Sequence, residues 1–185
     1  MSLNKAHQQQ LLALAKSSIA QGLQTGKPLK INLADFPAEL LEIRATFVTL
    51  QKHQQLRGCI GMLQAVRPLA EDIAENAFSA AFKDPRFPPL QTDELDSLEI
   101  HLSILTPAEP IAFTSEQDLL DKLQPDIDGL ILEEGYRRGT FLPAVWESLP
   151  EPRQFLRHLK QKAGLPANYW SDTVRVSRYR ADVID

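Results

Sequence analysis

Residues 44–61 read RATFVTLQKHQQLRGCIG, and how they alternate decides the fold of the rest of the chain. Arg44 to Lys52 carries Thr46, Phe47, Val48 and Thr49, the β-branched and aromatic residues that suit a pleated strand. A break at His53-Gln54 leads straight into a second strand over 55–61, which predicts a β-hairpin. With a two-residue turn, Cys59 falls opposite Val48 and Arg57 opposite Leu50, and a one-residue slip reverses which side chains face each other. Alternation along the second strand places Leu56 and Ile60 on one face and Arg57 and Cys59 on the other. Gly58 and Gly61 remove side chains from either side of the sulfur, a common mark of close approach by a ligand or another backbone.

Working outward, residues 3–24 predict an amphipathic helix with Leu12, Ala15, Ile19 and Leu23 on one stripe, ended by Gly26 and Pro28. Residues 29–43 read as irregular, with a short turn near Phe36-Pro37-Ala38. Pro68 opens a second helix whose apolar stripe of Leu69, Ile73, Ala77, Ala80 and Ala81 is small enough to lie close on a sheet. That helix stops at Asp84-Pro85-Arg86-Phe87-Pro88-Pro89, where the prolines stiffen a loop and hold Asp84 and Arg86 in place. Residues 98–105 alternate cleanly as a half-buried strand, with Leu98, Ile100, Leu102 and Ile104 turned one way. Ser115 and Asp118 resemble a capping pair for a helix through Leu123. Asp128 to Glu134 predicts a strand, Gly135 to Thr140 a tight turn bearing two arginines, and Pro143 the start of a short helix. A helix over 152–163 closes at Gly164, and Thr173 to Val183 predicts one last strand, irregular near Ser177. Hairpin neighbours outnumber crossover units. The expected class is therefore α+β: a mainly antiparallel sheet with packed helices, in two closely joined subdomains.

Composition narrows the function. The 185 residues carry a net charge of −4, which disfavours sequence-independent nucleic-acid binding through clustered cations. One cysteine forms no internal disulfide, which fits a reducing compartment, and no apolar run approaches the ~20 residues that span a bilayer. No leader is visible at the start of the chain, and the expected location is cytoplasmic.

The chemistry centres on Cys59, a candidate nucleophile with Arg57 beside it to favour the thiolate; the competing reading is a buried free cysteine acting as a small hydrophobe. Backbone amides near Gly58 and Gly61 suit a small anion-binding concavity. Asp84 and Arg86 form either an anion-orienting pair or an internal ion pair that pins the loop, and Arg138 is a further candidate for an anion. A thiol nucleophile needs a base. Of His7, His53, His101 and His158, only His101 lies on a strand, and it reads more readily as a partly exposed strand residue. No pair of histidines has metal-ligand spacing, one cysteine cannot build a structural zinc site, no dinucleotide or phosphate loop is present, and the sequence does not assign a cofactor. Trp146 and Trp170 read as packing anchors.

The segment Leu56–Gly61, together with Phe47-Val48-Thr49-Leu50, Asp84-Pro85-Arg86-Phe87, Leu102-Ser103-Ile104-Leu105, Arg138–Pro143 and Lys162-Ala163-Gly164-Leu165, resembles the AMMECR-one domain family, whose bacterial members are called the A protein of the AmmeMemoRadiSam system. The likeness runs through nearly the whole chain in the family's order. It implies a single domain over 1–185 with a cleft at the 56–61 hairpin between two lobes, and a biochemical activity that is unsettled for the family. Its signature residues would fall on Arg57, Gly58, Cys59 and Gly61, with Asp84, Arg86 and Arg138 as second candidates. Gene neighbourhood in the bacterial system implies Memo-like and radical-SAM proteins as partners.

Overall fold

The computed structural model describes residues 3–185. They fall into two compact units: Thr106–Ala181, which is continuous, and a first unit that runs to Leu105 and is completed by Asp182–Asp185. In chain order the elements are α1 (Lys5–Thr25), β1 (Thr46–Lys52), β2 (Gln55–Gly61), α2 (Leu69–Phe82), β3 (Leu98–Leu105), β4 (Glu109–Pro110), α3 (Glu116–Lys122), β5 (Gly129–Glu134), β6 (Arg137–Phe141), α4 (Pro152–Lys162), β7 (Arg175–Tyr179) and β8 (Ala181–Ile184). Short 3₁₀ turns at Leu33–Asp35, Ala38–Leu40, Thr92–Ser97 and Pro143–Glu147 fill the connections. The class is α+β, and the strand pairs whose register is resolved are antiparallel.

The first unit is a four-stranded sheet in the order β2-β1-β3-β8 with two helices on one face. Thr46, Val48 and Leu50 of β1 are buried in step, so every second residue meets the helices. The core they enter contains Leu11, Ile19, Ile73, Ala77, Leu102 and Ile184. Five alanines of α2 are buried, and their small side chains let the helix backbone come close to the sheet. Asn4 caps α1 by accepting the His7 N–H, and Gly26 ends it in the left-handed region. Buried Asp72 is fully occupied: its carboxylate accepts from Thr46 N and Oγ1, Asn76 Nδ2 and the Arg67 guanidinium.

The second unit is a four-stranded sheet in the order β4-β7-β5-β6. Trp146 is fully buried, stacks on Phe155 with ring centroids 3.7 Å apart, and donates from Nε1 to the Asp128 carbonyl. It is therefore the packing anchor expected of it. Lys160 is buried as well. Its ammonium meets the Glu116 carboxylate and lies 5.4 Å from the Trp170 ring centre, so α4 is tied to the start of α3 by a charge kept out of water.

Three sequence expectations change. Gly135–Thr140 is not one turn: only Gly135-Tyr136 turns, and Arg137–Phe141 is the strand β6, paired with β5 from Leu130↔Phe141 to Glu134↔Arg137. The single strand expected over 173–183 is two strands in two sheets, with Arg180 between them. The hairpin turn has two residues as expected, yet the register differs: Cys59 faces Thr49 and Gly58 faces Leu50, because Arg57 is an extra residue between Gly58 and Leu56↔Gln51. That bulge breaks the alternation. Leu56 follows Gln51 and Thr49 onto the face of Cys59, while Ile60, opposite Val48, packs on the helix-covered core.

The turn residues His53 and Gln54 have φ of 52° and 61°, the left-handed pair that a two-residue hairpin demands. Neither is glycine, so each carries a steric cost. Gln54→Gly is expected to stabilise the protein by about 0.5–1 kcal/mol, read as a higher midpoint in urea with an unchanged slope.

Candidate functional site

Cys59 lies on the edge strand of the first sheet, and the register fixes where its groups point. Met62 N donates to Thr46 O, while Leu105 N donates to Ala45 O. The even-numbered residues of β1 therefore direct their backbone groups at β2, and the odd-numbered ones direct theirs at β3. Thr49 and Cys59 form a pair without mutual backbone bonds, the close kind, about 4.5 Å between Cα atoms. The Cys59 Sγ accordingly lies 3.3 Å from Thr49 Oγ1. The backbone N–H and C=O of Cys59 point off the edge of the sheet, where no strand follows.

The loop after α2 fills that place. Asp84 Oδ2 accepts the Cys59 N–H at 2.9 Å, and Arg86 Nη2 donates to the Cys59 carbonyl at 3.4 Å. The two side chains are joined by Arg86 Nε to Asp84 Oδ1 at 3.0 Å and Nη2 to Oδ2 at 2.7 Å. Asp84 and Arg86 thus pair with each other and hold both backbone groups of Cys59 as a neighbouring strand would. The Arg86 hydrogen bonds, helped by the Cys59 N–H, hold the buried Asp84 carboxyl well below the usual carboxylate range against the opposing effect of burial. Arg86 is raised in turn by the Asp84 hydrogen bond, with a smaller electrostatic contribution from Cys59. Its side chain is 55% exposed, and among the described residues Nη1 has no hydrogen-bond partner.

Arg57 is engaged elsewhere. From the bulge, its Nε and Nη2 make a two-pronged contact with Glu94 at 3.0 and 2.9 Å, and Lys52 adds a third cationic contact at 3.3 Å. Lys52 belongs to the helix-covered side of β1, so the bulge carries Arg57 to the Glu94 carboxylate rather than to the sulfur. The Arg57 hydrogen bonds, then the Gln91 N–H and Lys52, hold the Glu94 carboxyl at about 2 against the opposing effect of burial. Arg57 Nη1 is buried without a partner among the described residues.

The two glycines have packing roles. A Cβ on Gly58 would lie 2.1 Å from the Ala80 carbonyl oxygen, so this residue is where α2 comes down on β2. A Cβ on Gly61 would lie 2.2 Å from the Thr46 carbonyl oxygen. Arg138 belongs to the second unit, on β6 opposite Glu133, with Nε 3.8 Å from its carboxylate. That unit also has a groove of about 410 Å³ lined by Ile111, Phe113, Glu133, Asp172 and Arg175, and none of the sequence-chosen candidates lines it.

Sequence reasoning left three partners of this site unnamed. Thr49 is the neighbour of the sulfur, hidden by the bulge that shifts the register. Glu94 lies in a 3₁₀ turn far along the chain, where its local pattern is that of a capping residue for Gln91 and not of a partner for Arg57. Asp185 meets His101 Nδ1 at 2.5 Å. No histidine hydrogen-bonds to Cys59 among the described residues.

Residues 12–184 match the AMMECR1 family model, and the chain belongs to that family. It is 38% identical over 179 residues to a protein of Methanothermobacter thermautotrophicus, covering 94% of this chain and 91% of the relative. It is 43% identical over 149 residues to a protein of Thermotoga maritima, covering 79% and 80%. Among solved structures it is similar to the uncharacterized protein PH0010 from Pyrococcus horikoshii, with a TM-score of 0.83, 36% identity and coverage of 94% and 88%. Among the described residues no helix is long and apolar enough to cross a membrane.

Asp84 and Glu94 both have depressed carboxyl values in the folded state, so each contributes stability that is present above its unfolded value and lost as pH falls. For Glu94 that window runs from roughly 5 down to about 2. Urea midpoints measured at pH 7, 4 and 3 are expected to fall steeply, and Glu94→Gln to fall less over the same interval.

Proposed function

We propose that this chain is an enzyme in which the Cys59 thiolate attacks an anionic substrate and Arg86 meets the substrate's charge. The observation that carries the reading is the double hold on Cys59. A buried carboxylate and a guanidinium are committed to the backbone of this one half-buried residue, while its sulfur lies beside a hydroxyl on the face away from α1 and α2. Such fixing of position is what nucleophilic catalysis requires. Arg86, though paired with Asp84, is 55% exposed and touches the Cys59 carbonyl, whereas Arg57 is 12% exposed against Glu94. Gly58 and Gly61, packed against the Ala80 and Thr46 carbonyls, hold the strand that presents Cys59, and Arg138, on β6 of the second unit, is proposed separately as a contact for an anion. The reaction is group transfer or hydrolysis at an electrophilic centre.

A second reading is favoured by one observation: the direct partner of the sulfur is Thr49, not a basic group. On that reading the domain is a non-catalytic module that holds a small ligand or a partner protein, working with Memo-like and radical-SAM proteins. The two readings part at the thiol. If the first is right, iodoacetamide at pH 7 modifies Cys59, the chain's single cysteine, ~10-fold or more faster than free cysteine, and Cys59→Ser abolishes the cellular role. Modification no faster than a free thiol, or a Cys59→Ser protein that keeps its cellular role, would establish the binding module instead.

A further inference from the structure

We infer that His101, held by Asp185, is the proton acceptor for Cys59 and is reached through the Thr49 hydroxyl; this rests on the reading of Cys59 as the nucleophile. Thr49 pairs with Cys59 on one side and with His101 on the other, so the three side chains form one row across β2, β1 and β3, on the face away from α1 and α2. The backbone groups of Thr49 face β3, which makes Thr49↔His101 the hydrogen-bonded kind of pair, about 5.5 Å between Cα atoms. Cys59 and His101 are thus about 10 Å apart at Cα, too far for a direct thiol–imidazole contact, with one hydroxyl between them.

Two features of His101 suit it to the role. Its Nδ1 lies 2.5 Å from Asp185 Oδ1, and a carboxylate on Nδ1 holds the proton there and leaves Nε2 as the acceptor. Nε2 is buried and has no partner among the described residues. A buried acceptor without a donor is costly, and the side chain directly opposite carries a hydroxyl.

The step moves protons only. Thr49 Oγ1 contacts the sulfur but not Nε2, so the Cys59 S–H proton passes to Thr49 Oγ1 as the Thr49 hydroxyl proton passes through one water to His101 Nε2. Sulfur keeps the electron pair of the broken S–H bond. The products are a Cys59 thiolate, a restored Thr49 hydroxyl and an imidazolium facing the Asp185 carboxylate. The charged and titratable groups around His101 are Asp185 from β8, the exposed Glu99 two residues along β3, and Cys59 at the far end of the row with Arg86 beside it. The β1 residues on this face, Phe47, Thr49 and Gln51, carry no charge.

The test is the pH profile of Cys59 carbamidomethylation by iodoacetamide in the full chain, for wild type, Thr49→Val and His101→Gln. The wild-type rate is expected to rise at a lower pH than that of either variant, and both variants to lose ~10-fold or more of the wild-type rate at pH 7. Thr49→Val keeps the shape of the side chain and removes only the hydroxyl, so it serves even if His101→Gln fails to fold. A fast wild-type protein whose variants keep the wild-type midpoint overturns the proton route and leaves the nucleophile standing. A wild-type profile that rises no earlier in pH than that of free cysteine measured alongside overturns both.

Discussion

The carboxylate of Asp84 holds the outer edge of the first sheet. An edge strand presents unpaired backbone groups that invite another chain to pair with it. At Cys59 those groups are met by Asp84 and by Arg86, which Asp84 itself orients. Two side chains from a proline-stiffened loop thereby stand in for a strand at one residue. The close Thr49–Cys59 pairing then sets the sulfur beside the Thr49 hydroxyl. If Asp84 lost its charge, Arg86 would lose its main partner and the Cys59 amide its acceptor, so position and electrostatics would fail together.

A second carboxylate, Glu94, works in the same way on Arg57, two residues before Cys59. Arg57 is turned out of the strand pattern by the bulge and caught by Glu94, which also gathers Lys52 and the Gln91 amide. The segment 56–61 is therefore fixed at three successive points: a salt bridge at Arg57, contact with the α2 backbone at Gly58, and the loop clamp at Cys59. In this structure the glycines answer to backbone neighbours. A strand glycine marks either that or the approach of a ligand, and residue type alone does not separate the two.

The antiparallel α+β architecture was legible because it rests on strong periodic signals: the clean alternation of 98–105, the alanine stripe of α2 and the two-residue hairpin turn. What misled was punctuation. Gly135 and the arginines after it read as one long turn, because β6 is short and charged; its pairing with β5 comes from tertiary context. At the end of the chain, one β-rich run is divided between two sheets by a change of direction at Arg180, which carries no glycine or proline to announce it. At the site, the Asp84–Arg86 ion pair was legible from its proline-stiffened loop, while its hold on the Cys59 backbone was not. The bulge at Arg57 was not, since an extra residue in a ladder is defined by the partner strand and not by its own sequence.

The placement of β8 bears on how this chain acquires its structure. The strand Ala181–Ile184 completes a sheet whose other strands all precede Thr106, and Ile184 fills the core laid down by α1 and α2. During synthesis the continuous segment Thr106–Ala181 emerges with all of its own core residues, whereas the first sheet waits for Ala181–Ile184. Closing that gap is a pairing of high sequence separation, the slow kind of contact in folding. Until it forms, β3 is itself an unguarded edge, and the residues that later flank the thiol row stand next to an unfinished sheet.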